Sequence, residues 1–208
     1  MDEVATVQAR LWKALRESEL VRVELGIKGS DAREGYVVAI GRKWLLLRVF
    51  DHSIFLDGYS AVRRADVTGV QRGKNGKFVR RALELQGAWP PSPPPGEVSL
   101  ETTRLLVETA GRLMPLVTLH VERRDPQVCY IGVPVVFRPR AVGLRQITPK
   151  ATWDRGITFW AFATSPAWSS ATITRTCSGV LPVRHPATAE LPIRPDAASP
   201  RPAGRVVR

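Results

Sequence analysis

At residue 21 the apolar pattern of this chain changes period, and that change limits the fold more than any other feature. Up to Glu19 the apolar residues Val4, Val7, Leu11 and Leu15, with Trp12 beside them, recur at the spacing of one helical face and leave charges on the other. From Val21 onward the period is two, as strands with one buried face require. VRVELGI reads as a first strand, and Gly29–Asp31 interrupts it with turn chemistry. GYVVAIGRKWLLLRVFD supplies two more strands hinged near Gly41. Asp57–Gly58 offers a tight turn, and SAVRRADVTGVQR carries one or two further short strands. Short strands at close spacing, with glycines at the corners, predict a small twisted barrel. KFVRRALELQG then reads as a helix ended by Gly87.

The second half repeats this order. WPPSPPPG at 89–96 favours extended polyproline II and lacks backbone donors, so it reads as a semi-rigid spacer rather than a ligand for SH3 or WW domains. ETTRLLVETAGRLM is a second amphipathic helix with Thr102 or Thr103 as its N-cap. LVTLHVE, VCYIGVPVVFR and AVGLRQITP follow as strands. In each half a strand, a charged turn, a long apolar strand, a basic turn and another apolar strand succeed one another, which indicates an internal duplication. The expected class is α+β, mainly β: two small barrels, each preceded by a helix. The expected boundaries are a helix over 1–20, a barrel plus helix over 21–88, a Pro-rich linker over 89–98 and a helix with a second, less complete barrel over 99–154. A disordered tail over 155–208 completes the expectation.

That tail bears on the charge. The chain carries 31 Lys and Arg against 19 Asp and Glu, a net +12, of which 25 are arginine and only six lysine. With Asn75 as the sole asparagine, the balance matches GC-rich coding, which weakens the case for a nucleic-acid partner. After Asp154 both periodicities vanish, and the Pro/Ala/Arg-rich remainder suits a disordered extension. A shifted reading frame starting near Asp154–Ile157 is a second explanation. The displaced frame permits an alternating, strand-like peptide to match Asp66–Val70, followed by an acidic helical start.

No catalytic constellation emerges. Asp51-His52-Ser53 has the residue types of a triad, but neighbours in sequence do not adopt a nucleophile–base–orienter geometry, and a turn after Phe50 is expected. His120 and Cys129 meet if their strands form a hairpin, yet no oxyanion hole or orienting group accompanies them, and adding His185 makes no zinc site. GVQRGKNGK at 69–77 lacks the spacing and the Ser or Thr of a phosphate loop, and Asn75–Gly76 reads as a turn into the next helix. No catalytic residue, metal ligand or cofactor is therefore expected. What survives is a basic cluster, Arg63, Arg64, Arg72, Lys74, Lys77, Arg80 and Arg81, near the aromatics Trp44, Phe50, Phe55 and Tyr59. A cationic groove with stacking aromatics holds single-stranded RNA or DNA, whereas Trp44 and Phe50, alternating with Leu46, suit a core better.

The run GYVVAIGRKWLLLRVFD…DGYSAVRRADVTGV resembles the small SH3/Sm-like barrels of bacterial proteins. A Gly-opened strand, a Trp-Leu-Leu-Leu strand, an Asp-Gly turn and an Arg-x-x-Asp-Val edge carry the likeness over 21–72 and, less clearly, 117–154. The resemblance implies a fold and no function, and the RNA-contacting signature of Sm proteins is missing, so neither ring formation nor RNA binding follows from it. The acidic, non-apolar start and the lack of any long apolar run set the expectation of a cytoplasmic protein without a membrane segment. The expected role is a non-enzymatic binding or regulatory protein with a protein partner, acting through barrel edges and amphipathic helices. Nucleic-acid binding through the basic cluster is the alternative.

Overall fold

A computed structural model describes residues 2–162, apart from 115, 124, 126, 127 and 149, together with the backbone at 170–174 and 206–207. Among the described residues the chain is mainly β, with three α-helices. Helix α1 (Asp2–Glu17) leads into β1 (Leu20–Leu25), β2 (Arg33–Ile40), β3 (Trp44–Phe50), β4 (Leu56–Arg63), one 3-10 turn at Arg64–Asp66 and β5 (Val67–Arg72). Helices α2 (Gly76–Leu85) and α3 (Thr103–Leu113) follow. Strands β6 (Leu116–His120), β7 (Val128–Arg138), β8 (Ala141–Gln146), β9 (Thr158–Ala161) and β10 (Ser170–Thr174) form the second half, and a two-residue β11 (Val206–Val207) pairs with β7.

Two antiparallel sheets result, with one connectivity between them. The first runs β5-β1-β2-β3-β4 and the second β10-β6-β7-β8-β9, so in each the last strand pairs with the first and the fourth forms the opposite edge. This shared order is what the repeated sequence pattern foreshadows. Among the described residues, however, both sheets are open, and neither closes into the small barrel expected. Strand β4 is not hydrogen-bonded to β5, nor β9 to β10. Instead the free side of β4 is taken by β10, through Tyr59↔Ile173, Ser60↔Thr172, Ala61↔Ala171 and Val62↔Ser170. A strand has two hydrogen-bonding edges, and β4 spends them on β3 and β10.

Three local readings change with the structure. Strands β9 and β10 lie in the stretch expected to be disordered. Most of the remaining tail, including His185, lies outside the described residues. The turn before β4 sits at Asp51–Phe55 rather than Asp57–Gly58, because the Asp51 carboxylate accepts the Ser53 and Phe55 N–H groups at 2.8 and 2.9 Å. Gly58 falls inside β4, where its φ of 103° meets the register shift against β3.

Side-chain alternation explains how the sheets pack. On β3, Leu45 and Leu47 face α1, joining Leu11, Ala14, Val21, Val23, Val37 and Val62 in the first core. Their neighbours Trp44 and Leu46, with Tyr59 and Ala61 of β4, face the other way and share a second core with Leu106, Val107 and Ala110 of α3. Val117, Leu119, Val142 and Leu144 of the second sheet complete it. Burying Leu106 and Leu119 completely contributes roughly 1.5–3 kcal/mol each. Two ion pairs cross the same junction. Arg33 is paired with the buried Glu122, and Arg123 lies 2.5 Å from the buried Asp66. The Pro-rich segment lies against the first sheet: Trp89 packs edge-on to Tyr36, the Tyr59 hydroxyl donates to the Ser92 carbonyl at 3.2 Å, and the Leu100 carbonyl accepts from Lys43 and Trp44. No described helix is long and apolar enough to cross a membrane.

Candidate interaction site at a free sheet edge

The basic cluster does not assemble into one site. Arg63 and Arg64 lie at one end of β5, while Arg72, Lys74, Lys77, Arg80 and Arg81 gather at the other, around the start of α2. The six-residue strand between them spans on the order of 20 Å at about 3.4 Å per residue. Several of these cations already have partners. The Arg64 guanidinium donates to the Gly41 carbonyl at 2.6 Å and to Gln8, Arg72 is bound to Glu19, and Arg80 and Arg81 lie 2.9 and 3.5 Å from Glu84. The Arg80 hydrogen bond holds the Glu84 carboxyl below its ordinary range, and the Glu19 hydrogen bond raises Arg72. The aromatics mostly belong elsewhere. Trp44 and Tyr59 are core residues and Phe50 is half-buried; only Phe55 stands out in solvent.

The other motifs resolve into structure. Asp51-His52-Ser53 forms the turn described above. His120 and Cys129 do face each other across the β6–β7 pair, both buried, and Cys129 is in no disulfide. Gly69–Arg72 is extended strand rather than a phosphate-cradling loop, and Asn75 caps α2 from the left-handed region with φ 57°. Among the described residues, no three His, Cys, Asp or Glu side chains are grouped to hold a metal ion.

A different place stands out. Strand β5 is the outermost strand of the first sheet; β1 pairs one of its sides, and no described strand pairs the other. An edge of this kind presents a row of backbone donors and acceptors ready to accept another strand. Alongside it runs a groove of about 530 Å³ between α1 and β5, lined by Thr6, Val7, Ala9, Arg10, Lys13 and residues 68–71. The helix holds its position because Leu11 and Ala14 are wholly buried on the sheet, which turns Ala9, Arg10 and Lys13 toward the groove. Arg10 and Lys13 are balanced by Glu19 at 3.6 Å and Glu17 at 4.0 Å, so the walls carry charge without an excess of one sign. On the β5 side, Gln71 donates to Glu24 at 3.0 Å. Trp12, 44% exposed, lies on the same helix.

Sequence reading finds each wall and misses the site. It identifies α1 as amphipathic and 67–72 as a strand, but which strand lies at the edge is a property of pairing order. Comparison of the chain with protein-family models, with curated proteins and with solved structures finds no match.

Proposed function

We propose that this chain is a non-enzymatic binding or regulatory protein built on two open antiparallel sheets of like strand order, and that it works by accepting an extended polypeptide segment at the edge of β5 beside α1. The observation that carries the reading is the coincidence of an unpaired strand edge with a mostly apolar groove running beside it. Strand addition draws its affinity from backbone hydrogen bonds and its selectivity from side-chain pockets beside the edge, which is why it leaves no catalytic motif. A peptide-display selection on the whole chain tests this. Recovered peptides bind in extended form, and Ala9→Trp, which fills the groove from an exposed helix position, abolishes their binding while leaving the far-ultraviolet circular dichroism unchanged. Peptides that bind Ala9→Trp as well as the parent overturn the reading.

A second reading rests on α2. Phe78 is 65% exposed and shares a helix face with Arg81, next to Lys77 and Lys74, which suits stacking on single-stranded RNA or DNA. It is the weaker reading, because Arg72, Arg80 and Arg81 have carboxylate partners. Salt-dependent binding of a single-stranded oligonucleotide, lost in Arg80→Ala with Arg81→Ala, establishes it in place of strand addition.

A further inference from the structure

Beyond the strand-addition reading and independently of it, we infer that the outer face of α2 docks on the surface of an anionic lipid bilayer. Leu85, 73% exposed, and Phe78, 65% exposed, are the two most exposed large apolar side chains among the described residues. They stand seven residues apart on one ten-residue helix, so they point the same way. At about 3.6 residues per turn, Leu83, Val79, Ala82, Phe78 and Leu85 fall within about 160° of the helix circumference. The chain covers only one end of that arc. Val79 and Leu83 pack with Leu20 and Tyr36, and Ala88 and Trp89 lie against them. Packing on the chain's own core therefore accounts for Val79 and Leu83, and Phe78 and Leu85 remain in solvent.

The charge beside the exposed end selects the partner. Arg81 and Lys77 come next round the helix beyond Leu85, and Lys74 lies in the turn that leads into α2. Between Gly73 and Gly87 four cations, Lys74, Lys77, Arg80 and Arg81, stand against the single carboxylate of Glu84. Glu84 is taken by Arg80 and Arg81, and neither Lys74 nor Lys77 is in an ion pair among the described residues. The other exposed large apolar residues on the helices lack this surplus: Trp12 adjoins the Lys13–Glu17 pair and Leu105 the Arg104–Glu108 pair. An apolar stripe bordered by unbalanced cations matches the interface of an anionic bilayer. There the apolar side chains enter the acyl boundary while the cations meet the headgroup charges. Leu85 separates this partner from a single-stranded nucleic acid on the same face. An aliphatic side chain offers no stacking platform, whereas Leu85 and Phe78 both bury in a bilayer.

Co-sedimentation of the full chain with lipid vesicles tests the inference. The chain binds vesicles of equal parts phosphatidylcholine and phosphatidylserine, and it does not bind vesicles of phosphatidylcholine alone. Phe78→Ser with Leu85→Ser lowers the partition into the anionic vesicles at least about tenfold. That variant keeps the parent's circular dichroism, since both positions are exposed. Lys74→Gln with Lys77→Gln lowers the partition roughly thirtyfold, at about fivefold for each cation near the surface. Ala9→Trp partitions as the parent does, so strand addition and lipid docking stand or fall separately. No binding to the anionic vesicles, or equal binding to both kinds, overturns the inference. Binding that the lysine variant loses and the Phe78, Leu85 variant keeps overturns it as well, because it is mere adsorption of a basic chain. A chain that ignores both kinds of vesicle and binds a single-stranded DNA oligonucleotide through Phe78, indifferent to Leu85→Ser, overturns it in favour of nucleic acid.

Discussion

The Arg33–Glu122 pair offers the sharpest quantitative test of how the two sheets are held. Glu122 is 1% exposed and Arg33 is buried on the opposing sheet's side, where its guanidinium also donates to the Asp31 carbonyl at 2.8 Å. Two unit charges about 4 Å apart at an effective dielectric of about 20 attract by about 4 kcal/mol. Desolvation offsets much of that gain, so the intact pair adds little net stability. Removing one partner is different, because the other then keeps its charge in the interior without this counter-charge, at a cost of about 3–5 kcal/mol. Glu122→Leu and Arg33→Met should each show that loss in urea denaturation followed by tryptophan fluorescence. At a slope of about 2 kcal/mol per molar urea, the midpoint falls by roughly 1.5–2.5 M. The double variant removes both charges and should lose clearly less than either single one, giving a coupling of at least about 2 kcal/mol in the cycle. Single-variant shifts that simply add, or that stay below about 0.3 M, would show that the two side chains do not depend on each other. The account of the junction would then be wrong.

Other expectations are simpler. Leu106→Ala, in the core that both sheets share, should lose about 2–5 kcal/mol in one cooperative transition; two separate transitions would show independently folding halves. Gly132→Ala should lower the melting temperature steeply, because a Cβ there meets the Arg145 carbonyl of the neighbouring strand, whereas Gly156→Ala, with open space around it, should change little. The Tyr36 hydroxyl, pushed up to about 12 by burial, has no hydrogen-bond partner among the described residues. Its folded-state value lies above the 10.0 of a free tyrosine, so the stability linked to its protonated form is full below pH 10 and is lost as pH rises toward about 12. Tyr36→Phe should therefore flatten alkaline unfolding in that window without weakening the protein at neutral pH, as chemical denaturation across the range will show. Thr102→Ala removes the side chain that accepts the Leu105 N–H and should lower stability by about 0.5–2 kcal/mol in the same assay.

Local chemistry made much of this molecule legible. The period-two runs of VRVELGI and WLLLRVF, the helical spacing of Leu11 and Leu15, the cap at Thr102 and the left-handed Asn75 ahead of α2 all depend on neighbours in the chain, so the sequence alone determines them. The repeat is legible for the same reason: each half carries its own helix and its own strands. Strands β9 and β10 were not legible, because stretches as short as Thr158–Ala161 acquire strand geometry from the ladder they join rather than from their own pattern. The fate of the basic cluster was equally hidden, since Glu19, far away in sequence, is what meets Arg72. Barrel closure was a matter for the tertiary structure alone. Every strand has two edges, and only the folded chain decides that β4 gives its second edge to β10 and leaves β5 open.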